Sequence, residues 1–322
     1  MSLADQLRKR VEGGEALGRE DAVLLSREPA DELAKQADAL RHSLMGDSFD
    51  LCAIVNGKSG RCPENCAFCA QSAHYSTAVT EYPLLPEETI VQTAVQQAKR
   101  GVLRFSVVTS GRRLSDGEVW SLCRAYRIIR ERTGLQLCAS LGLLSAEQFR
   151  CLKDAGVTRY HNNLETSRRF FPAICTTHTY DDKCAAVEAA TAAGMTVCSG
   201  GIFGLGETME DRIDLALQLR ALGIRSIPIN VLSPIPGTPL QNNKPLGQEE
   251  LVRSVAVLRF LLPRSAIRLA GGRGAMPDHG KAAFLAGANA AITGDMLTTA
   301  GFDAASDREL AESLGYRIAP IR

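Results

Sequence analysis

From residue 51 onward the chain alternates short apolar runs with longer amphipathic ones, and this alternation constrains the fold more than any other feature. DLCAIVN (50–56) reads as a strand and is followed, after a loop, by a helix over 86–100. VLRFSVVTS (102–110) precedes a helix over 116–132, and LQLCASLG (135–142) precedes one near 145–155. TRYHNNLE (158–165) precedes a helix over 180–193, and MTVCSGGI (195–202) one over 208–222. SIPINVLS (226–233) precedes a helix over 247–262, SAIRLAGG (265–272) one near 278–287, and ANAAIT (288–293) closes the series. Alternating strand and helix predicts a parallel sheet. Eight such units over roughly 240 residues match an α/β fold of the (β/α)8 TIM-barrel type, with an open doubly wound sheet as the alternative.

Residues 1–50 read differently, as polar helix with Pro29 as a break. They predict an N-terminal helical extension (1–50) ahead of a barrel with a C-terminal tail (51–322); no interior linker or repeat argues for a further domain. With 45% hydrophobic and 23% charged residues, the 322-residue chain can bury a sizeable core. Its 37 basic and 36 acidic side chains leave a net charge of +1, which gives no reason to expect nucleic acid or an anionic membrane as partner. No apolar run approaches the ~20 residues of a membrane span. MSLADQLRKRVEGG lacks the apolar core of a signal peptide, so the expected location is the cytoplasm.

Ten cysteines in a reducing compartment are not explained by disulfides. Cys123, Cys151 and Cys184 fall on predicted helices and read as packed core thiols. GRCPENCAFCAQS (60–72) is different, because it places Cys62, Cys66 and Cys69 at C-x3-C-x2-C spacing in the loop after the first strand. In a barrel of this type chemistry sits in such loops. Three thiolates favour a soft metal or an iron–sulfur cluster, and a closed zinc site would need a fourth ligand. The readings left by spacing alone are an open [4Fe–4S] site, a zinc site, and a chance grouping.

The loop resembles the radical S-adenosylmethionine (SAM) superfamily, in which the open iron of a [4Fe–4S] cluster chelates the methionine end of SAM. That resemblance implies that Phe68, before the third cysteine, lies near the adenine. A second superfamily feature, G-x-I-x-G-x-x-E, is present as Gly200, Ile202, Gly204 and Glu207. CPENCAFCAQSAHY, YHNNLET, TTHTY, VCSGGIFGLGET, IPINVLSPIPGTPL, IRLAGGR and FLAGANAAITGDMLTT, spread over about residues 50–300, are similar to the biotin synthase family. The family inserts sulfur into dethiobiotin with SAM-derived radicals, the sulfur coming from an auxiliary cluster inside the barrel.

For that auxiliary cluster, Cys138, Cys198 and Arg268 match family ligand positions, whereas Ser106 stands where the family has cysteine. A serine oxygen is a harder and poorer iron ligand than thiolate. Cys52, on the neighbouring strand, is the candidate replacement, with Cys175 as a further one. The cluster is then either [2Fe–2S] or a four-iron variant. The resemblance further implies Glu165, Lys183 and Asn230 at SAM, with Lys183 in place of an arginine, and Asn163, Asn230, Thr298 and Thr299 at dethiobiotin. It implies a flavodoxin- or ferredoxin-type electron donor and a homodimer. Two competing functions remain at this level: a related radical SAM enzyme that does not insert sulfur, and a zinc-stabilised binding barrel.

Overall fold

The computed structural model describes residues 1–299 and 301–321. Three helices come first: α1 (Leu3–Glu12), α2 (Arg19–Leu25) and α3 (Ala30–Met45). The barrel strands are β1 (Ser48–Lys58), β2 (Arg104–Thr109), β3 (Gln136–Ser140), β4 (Val157–His161), β5 (Thr196–Cys198), β6 (Gly201–Phe203), β7 (Ser226–Val231), β8 (Ala266–Leu269) and β9 (Ala290–Thr293). All pair in parallel, and β1 pairs with β9 to close the ring. Between them run α4 (Glu87–Lys99), α5 (Asp116–Arg132), α6 (Ala146–Asp154), α7 (Tyr180–Ala192), α8 (Met209–Ala221), α9 (Gln248–Leu261) and the single-turn α10 (Lys281–Phe284). The closed barrel is the predicted (β/α)8 fold rather than the open sheet.

The helices start where the sequence says they should. α5, α6, α7 and α8 each open with a capping box: Ser115 with Glu118, Ser145 with Gln148, Thr179 with Asp182, and Thr208 with Asp211. Each box satisfies two backbone N–H groups that the first helical turn would otherwise leave orphaned. α3 packs on α9, and α2 on α8, so the leading helices cover one flank of the barrel rather than its mouth. No helix among the described residues is long and apolar enough to cross a membrane.

Three features differ from the sequence reading. The fifth stave is split into β5 and β6, because a side chain at Gly200 would meet the Pro228 carbonyl oxygen at 1.9 Å and one at Gly201 the Glu165 carbonyl at 2.4 Å. The helix expected near 278–287 shrinks to one turn, bounded by left-handed Gly280 (φ +88) and Gly287 (φ +104). The tail forms α11 (Ala304–Ser313) and β10 (Arg317–Ile318), the latter adding to β1 below the ring through Ser48 and Phe49.

The floor of the lumen is ionic. Asp50 is fully buried, and its carboxylate accepts from Arg104 Nε at 2.8 Å and Arg268 Nη2 at 2.7 Å. Arg268 Nη1 also donates to the backbone carbonyls of Asp50 and Ala291, tying β8 to β1 and β9 at the seam of the ring. Burial opposes ionisation of Asp50, yet the two guanidiniums hold its carboxyl down at about 2. The folded value lies below the unfolded value of about 3.9, so this stability is complete above that range and is lost as pH falls toward 2. Asp50→Asn strands two buried cations and is expected to cost about 3–5 kcal/mol. A urea titration should show this as a lower midpoint, with the wild-type loss of stability between pH 5 and 2 flattened in the variant.

Candidate active site at the barrel mouth

Strand alternation decides which side chains enter the lumen. From β1 these are Cys52 and Ile54; from β2, Arg104, Ser106 and Val108; from β3, Cys138 and Ser140; from β4, Arg159 and His161. β5 contributes Cys198, β6 Ile202, β7 Pro228 and Asn230, and β8 Arg268. Together they line a cavity of about 330 Å³, roofed by Phe68, Cys69 and the segment carrying Met296, Leu297, Thr298 and Thr299. Ser106 is the register partner of Cys138, and His161 that of Cys198.

Three thiols therefore converge in the lumen: Cys52, Cys138 and Cys198. Burial pushes Cys52 up to about 12 and raises Cys138 as well. Burial would do the same to Cys198, but the neighbouring His161, together with the charges of Arg159 and Arg268, brings it down to about 6. Arg104, Arg159 and Arg268 face the cavity against the carboxylates of Asp50 at its floor and Glu165 at its upper rim, so its walls carry surplus positive charge. Ser106 Oγ is buried with no hydrogen-bond partner. An orphaned hydroxyl beside thiols in a cationic chamber suits an anionic, sulfur-rich occupant. Asp50, Arg104 and Arg159 were not singled out from sequence. Their signal is period-two spacing, since Asp50 and Arg104 lie two residues before Cys52 and Ser106.

A second cavity of about 180 Å³ lies above, lined by Cys62, Cys66, Cys69, His178, Lys183 and Glu165 among others. Phe68, Cys69, His161, Asn163 and Glu165 line both spaces, so the two cavities adjoin across these side chains. The cysteine loop is held by its own backbone, with Cys62 N–H donating to Gln71 O and Cys69 N–H to Cys66 O. It is also tied to the segment after β4: Asn65 Oδ1 accepts from Thr176 and Thr177 N–H, and Ala67 N–H donates to Ile174 O. Burial raises the Cys62 thiol, and it pushes Cys69 up to about 11. Occupation by a metal or cluster must therefore expel protons from these thiols.

Cys175 does not join the lumen thiols. Its sulfur lies 3.8 Å from that of Cys66 and 3.3 Å from His178 Nδ1, and His178 is paired with Glu64. The reason is local: Cys175 follows the short helical turn Phe171–Ala173 after β4, which packs beneath the cysteine loop. Cys66, Cys175 and His178 also bring ligand atoms close enough together to hold a metal ion.

Glu165 has a left-handed backbone (φ +70), rare for a residue with a side chain, and its Oε2 is buried without a partner. Lys183 Nζ lies 4.0 Å from Glu165 and donates to Asn162 Oδ1 at 3.1 Å. Asn163 Oδ1 accepts from Gly200 N–H. Asn230 accepts from Gly271 N–H and donates to Gly201 O, so it braces three strands at the lumen wall. In the glycine-rich segment Ile202 faces the cavity, whereas Gly204 turns the chain in left-handed backbone (φ +96) and Glu207 accepts from Gly204 N–H while pairing with buried Arg212.

Two family profiles match the chain: the radical SAM superfamily over residues 57–219, and the biotin and thiamin synthesis associated domain over residues 228–317. A biotin synthase of Akkermansia muciniphila is 56% identical over 318 residues, covering 99% of each chain. One of Clostridium botulinum is 51% identical over 318 residues, covering 99% of this chain and 100% of the relative. A "biotin synthase 2" of Corynebacterium diphtheriae is 52% identical, covering 99% and 97%. Among solved structures, methylornithine synthase superposes with a TM-score of 0.84 at 20% identity, covering 98% of this chain and 97% of that one. The FeFe-hydrogenase maturase HydG of Carboxydothermus hydrogenoformans gives 0.81 at 18%, covering 97% and 78%. At those identities the structural likeness speaks for the fold alone. The sequence relatives, matched end to end at half or more of their positions, speak for more: the chain belongs to the biotin synthase family of radical SAM proteins.

Proposed function

We propose that this chain converts dethiobiotin to biotin, with a [4Fe–4S] cluster on Cys62, Cys66 and Cys69 and SAM between that cluster and the lumen. The observation that carries the reading is the pair of adjoining cavities, one lined by the three-cysteine loop and the other by the lumen thiols Cys52, Cys138 and Cys198. When bound, the first cluster and SAM supply the radical that abstracts hydrogen, and an auxiliary iron–sulfur cluster supplies the sulfur.

The chain's own residues bind, orient and exclude water. Lys183, which lines the upper cavity, would pair with the SAM carboxylate as a point charge rather than a planar fork. The unpartnered Glu165 oxygen can accept from ribose hydroxyls, and its left-handed backbone leaves that oxygen without a protein partner. Phe68 and Ile202 offer apolar surface to the adenine, and the Gly200, Gly204 and Glu207 turn holds Ile202 in position. Asn163, its oxygen already engaged, has amide donors left for dethiobiotin; Asn230, Thr298 and Thr299 complete that wall. Ile54, Val108, Leu232 and Ile292 keep it dry, which protects a radical from side reactions.

For the auxiliary cluster the proposed ligands are Cys52, Cys138 and Cys198, with Arg268 beside them. Ser106 stands where the family has its third cysteine ligand, and the surplus of guanidinium charge favours an anionic cluster, [2Fe–2S] or four-iron. Cys175, beside Cys66, is proposed to serve the first cluster's surroundings. A flavodoxin- or ferredoxin-type donor, a homodimer, a cytoplasmic location and an N-terminal extension ending at residue 50 complete the proposal.

Anaerobically purified protein, given SAM, a reductant and dethiobiotin, should yield biotin and 5′-deoxyadenosine; zinc in place of iron and sulfide would overturn the assignment. Cys52→Ala should lose iron and sulfide from the second cluster and stop making biotin, yet still cleave SAM. An unchanged iron count in that variant would remove Cys52 from the ligand set. Lys183→Ala gives up a charge-assisted contact worth about 1.5–3 kcal/mol, so the KM for SAM should rise about ten- to hundredfold. Steady-state kinetics at saturating dethiobiotin would read it.

A further inference from the structure

Two cysteines that read as inert packing from sequence are brought together by the fold. Cys123 on α5 and Cys151 on α6 lie far from each other in the chain, yet their sulfurs are 2.9 Å apart where the two helices pack. Neither lines the chamber. Cys123 is buried and Cys151 half-buried, so Cys151 is the more exposed residue of the pair. We propose that Cys123 and Cys151 form a reversible dithiol–disulfide site on the outside of the barrel, oxidised by low-molecular-weight disulfides.

The exchange balances without help from the active site. The Cys151 thiolate attacks the small disulfide, forming a mixed disulfide and releasing one small thiolate. The Cys123 thiolate then attacks the Cys151 sulfur, the S–S bond to the small molecule breaks, and the second thiolate leaves. The protein pair loses two electrons, the small disulfide gains them, and the two protons pass to the released thiolates. Burial, together with the neighbouring Cys151 thiol, raises the Cys123 thiol, which assigns the first attack to Cys151. Contact distance makes the second attack intramolecular and fast.

The site is coupled to the lumen through β3, the strand between these two helices. One turn beyond Cys123, Tyr126 donates its hydroxyl to Cys138 O at 2.7 Å and accepts from Val107 N–H. On α6, Phe149 packs edge-on against Tyr160 at 4.7 Å, and the Tyr160 hydroxyl accepts from Leu141 N–H and donates to Gly142 O. A covalent link between α5 and α6 would therefore clamp β3 at its middle, on Cys138, and at the turn that follows it.

The test uses the holoenzyme, incubated anaerobically with oxidised glutathione, denatured, alkylated and mapped by mass spectrometry. The expected product is a peptide pair linked through Cys123 and Cys151, reversed by dithiothreitol. Cys123→Ser should instead keep glutathione on Cys151, and Cys151→Ser should leave Cys123 alkylatable. Full alkylation of both thiols in the wild type, or glutathione that stays on Cys151 without passing to Cys123, would overturn the proposal. The coupling has its own readout. Oxidised wild type should unfold at a higher temperature than reduced, while Cys151→Ser shows no difference between the two conditions; equal unfolding temperatures for oxidised and reduced wild type would show that the link clamps nothing.

Discussion

The barrel's interior depends on one carboxylate. Asp50 sits fully buried on β1 and holds Arg104 from β2 and Arg268 from β8, so the ionic contact spans the seam where the ring closes. Three guanidiniums around a sealed floor would repel one another, and Asp50 relieves that without cancelling it. What remains is a cationic chamber whose arginines are fixed in place. Arg268 in particular has three of its hydrogen bonds committed to Asp50 and Ala291, so it is a preset wall of the lumen.

The two groups of thiols are built by different means. Cys62, Cys66 and Cys69 belong to one loop, whose shape is set by its own hydrogen bonds and by Asn65 reaching the segment after β4. Cys52, Cys138 and Cys198 come from three strands and meet only because the ring closes. The environments differ accordingly. Burial keeps most of these sulfurs protonated, while Cys198, against His161 and near two arginines, is drawn toward thiolate.

Polar side chains at the mouth divide between holding the frame and facing the chamber. Asn230 spends its hydrogen bonds on the backbone beside the split fifth stave, while Glu207 uses one oxygen for Gly204 N–H and Arg212. Glu165 keeps one oxygen unpaired at a backbone angle that costs energy, and Ser106 keeps an unpaired hydroxyl lower down. Unsatisfied buried atoms of this kind are rare in a relaxed core, and here both face the chamber.

The sequence by itself determined the barrel, the helix starts and the first cysteine site, because each is encoded locally: apolar period, capping residues, and three cysteines within one loop. It also pointed to Cys138, Cys198 and Arg268 through a family likeness, and to Cys52 through its place on the strand beside Ser106. Only the tertiary structure decided which residues stand together. Cys175 lies against Cys66 rather than in the lumen, Asp50 anchors both floor arginines, and Cys123 meets Cys151 across two helices. The split of β5 from β6 belongs here too, since Gly200 and Gly201 show their purpose only once Pro228 and Glu165 press against them. Each of these depends on contacts between residues distant in the chain, which ring closure and strand register create and which no single stretch of sequence contains.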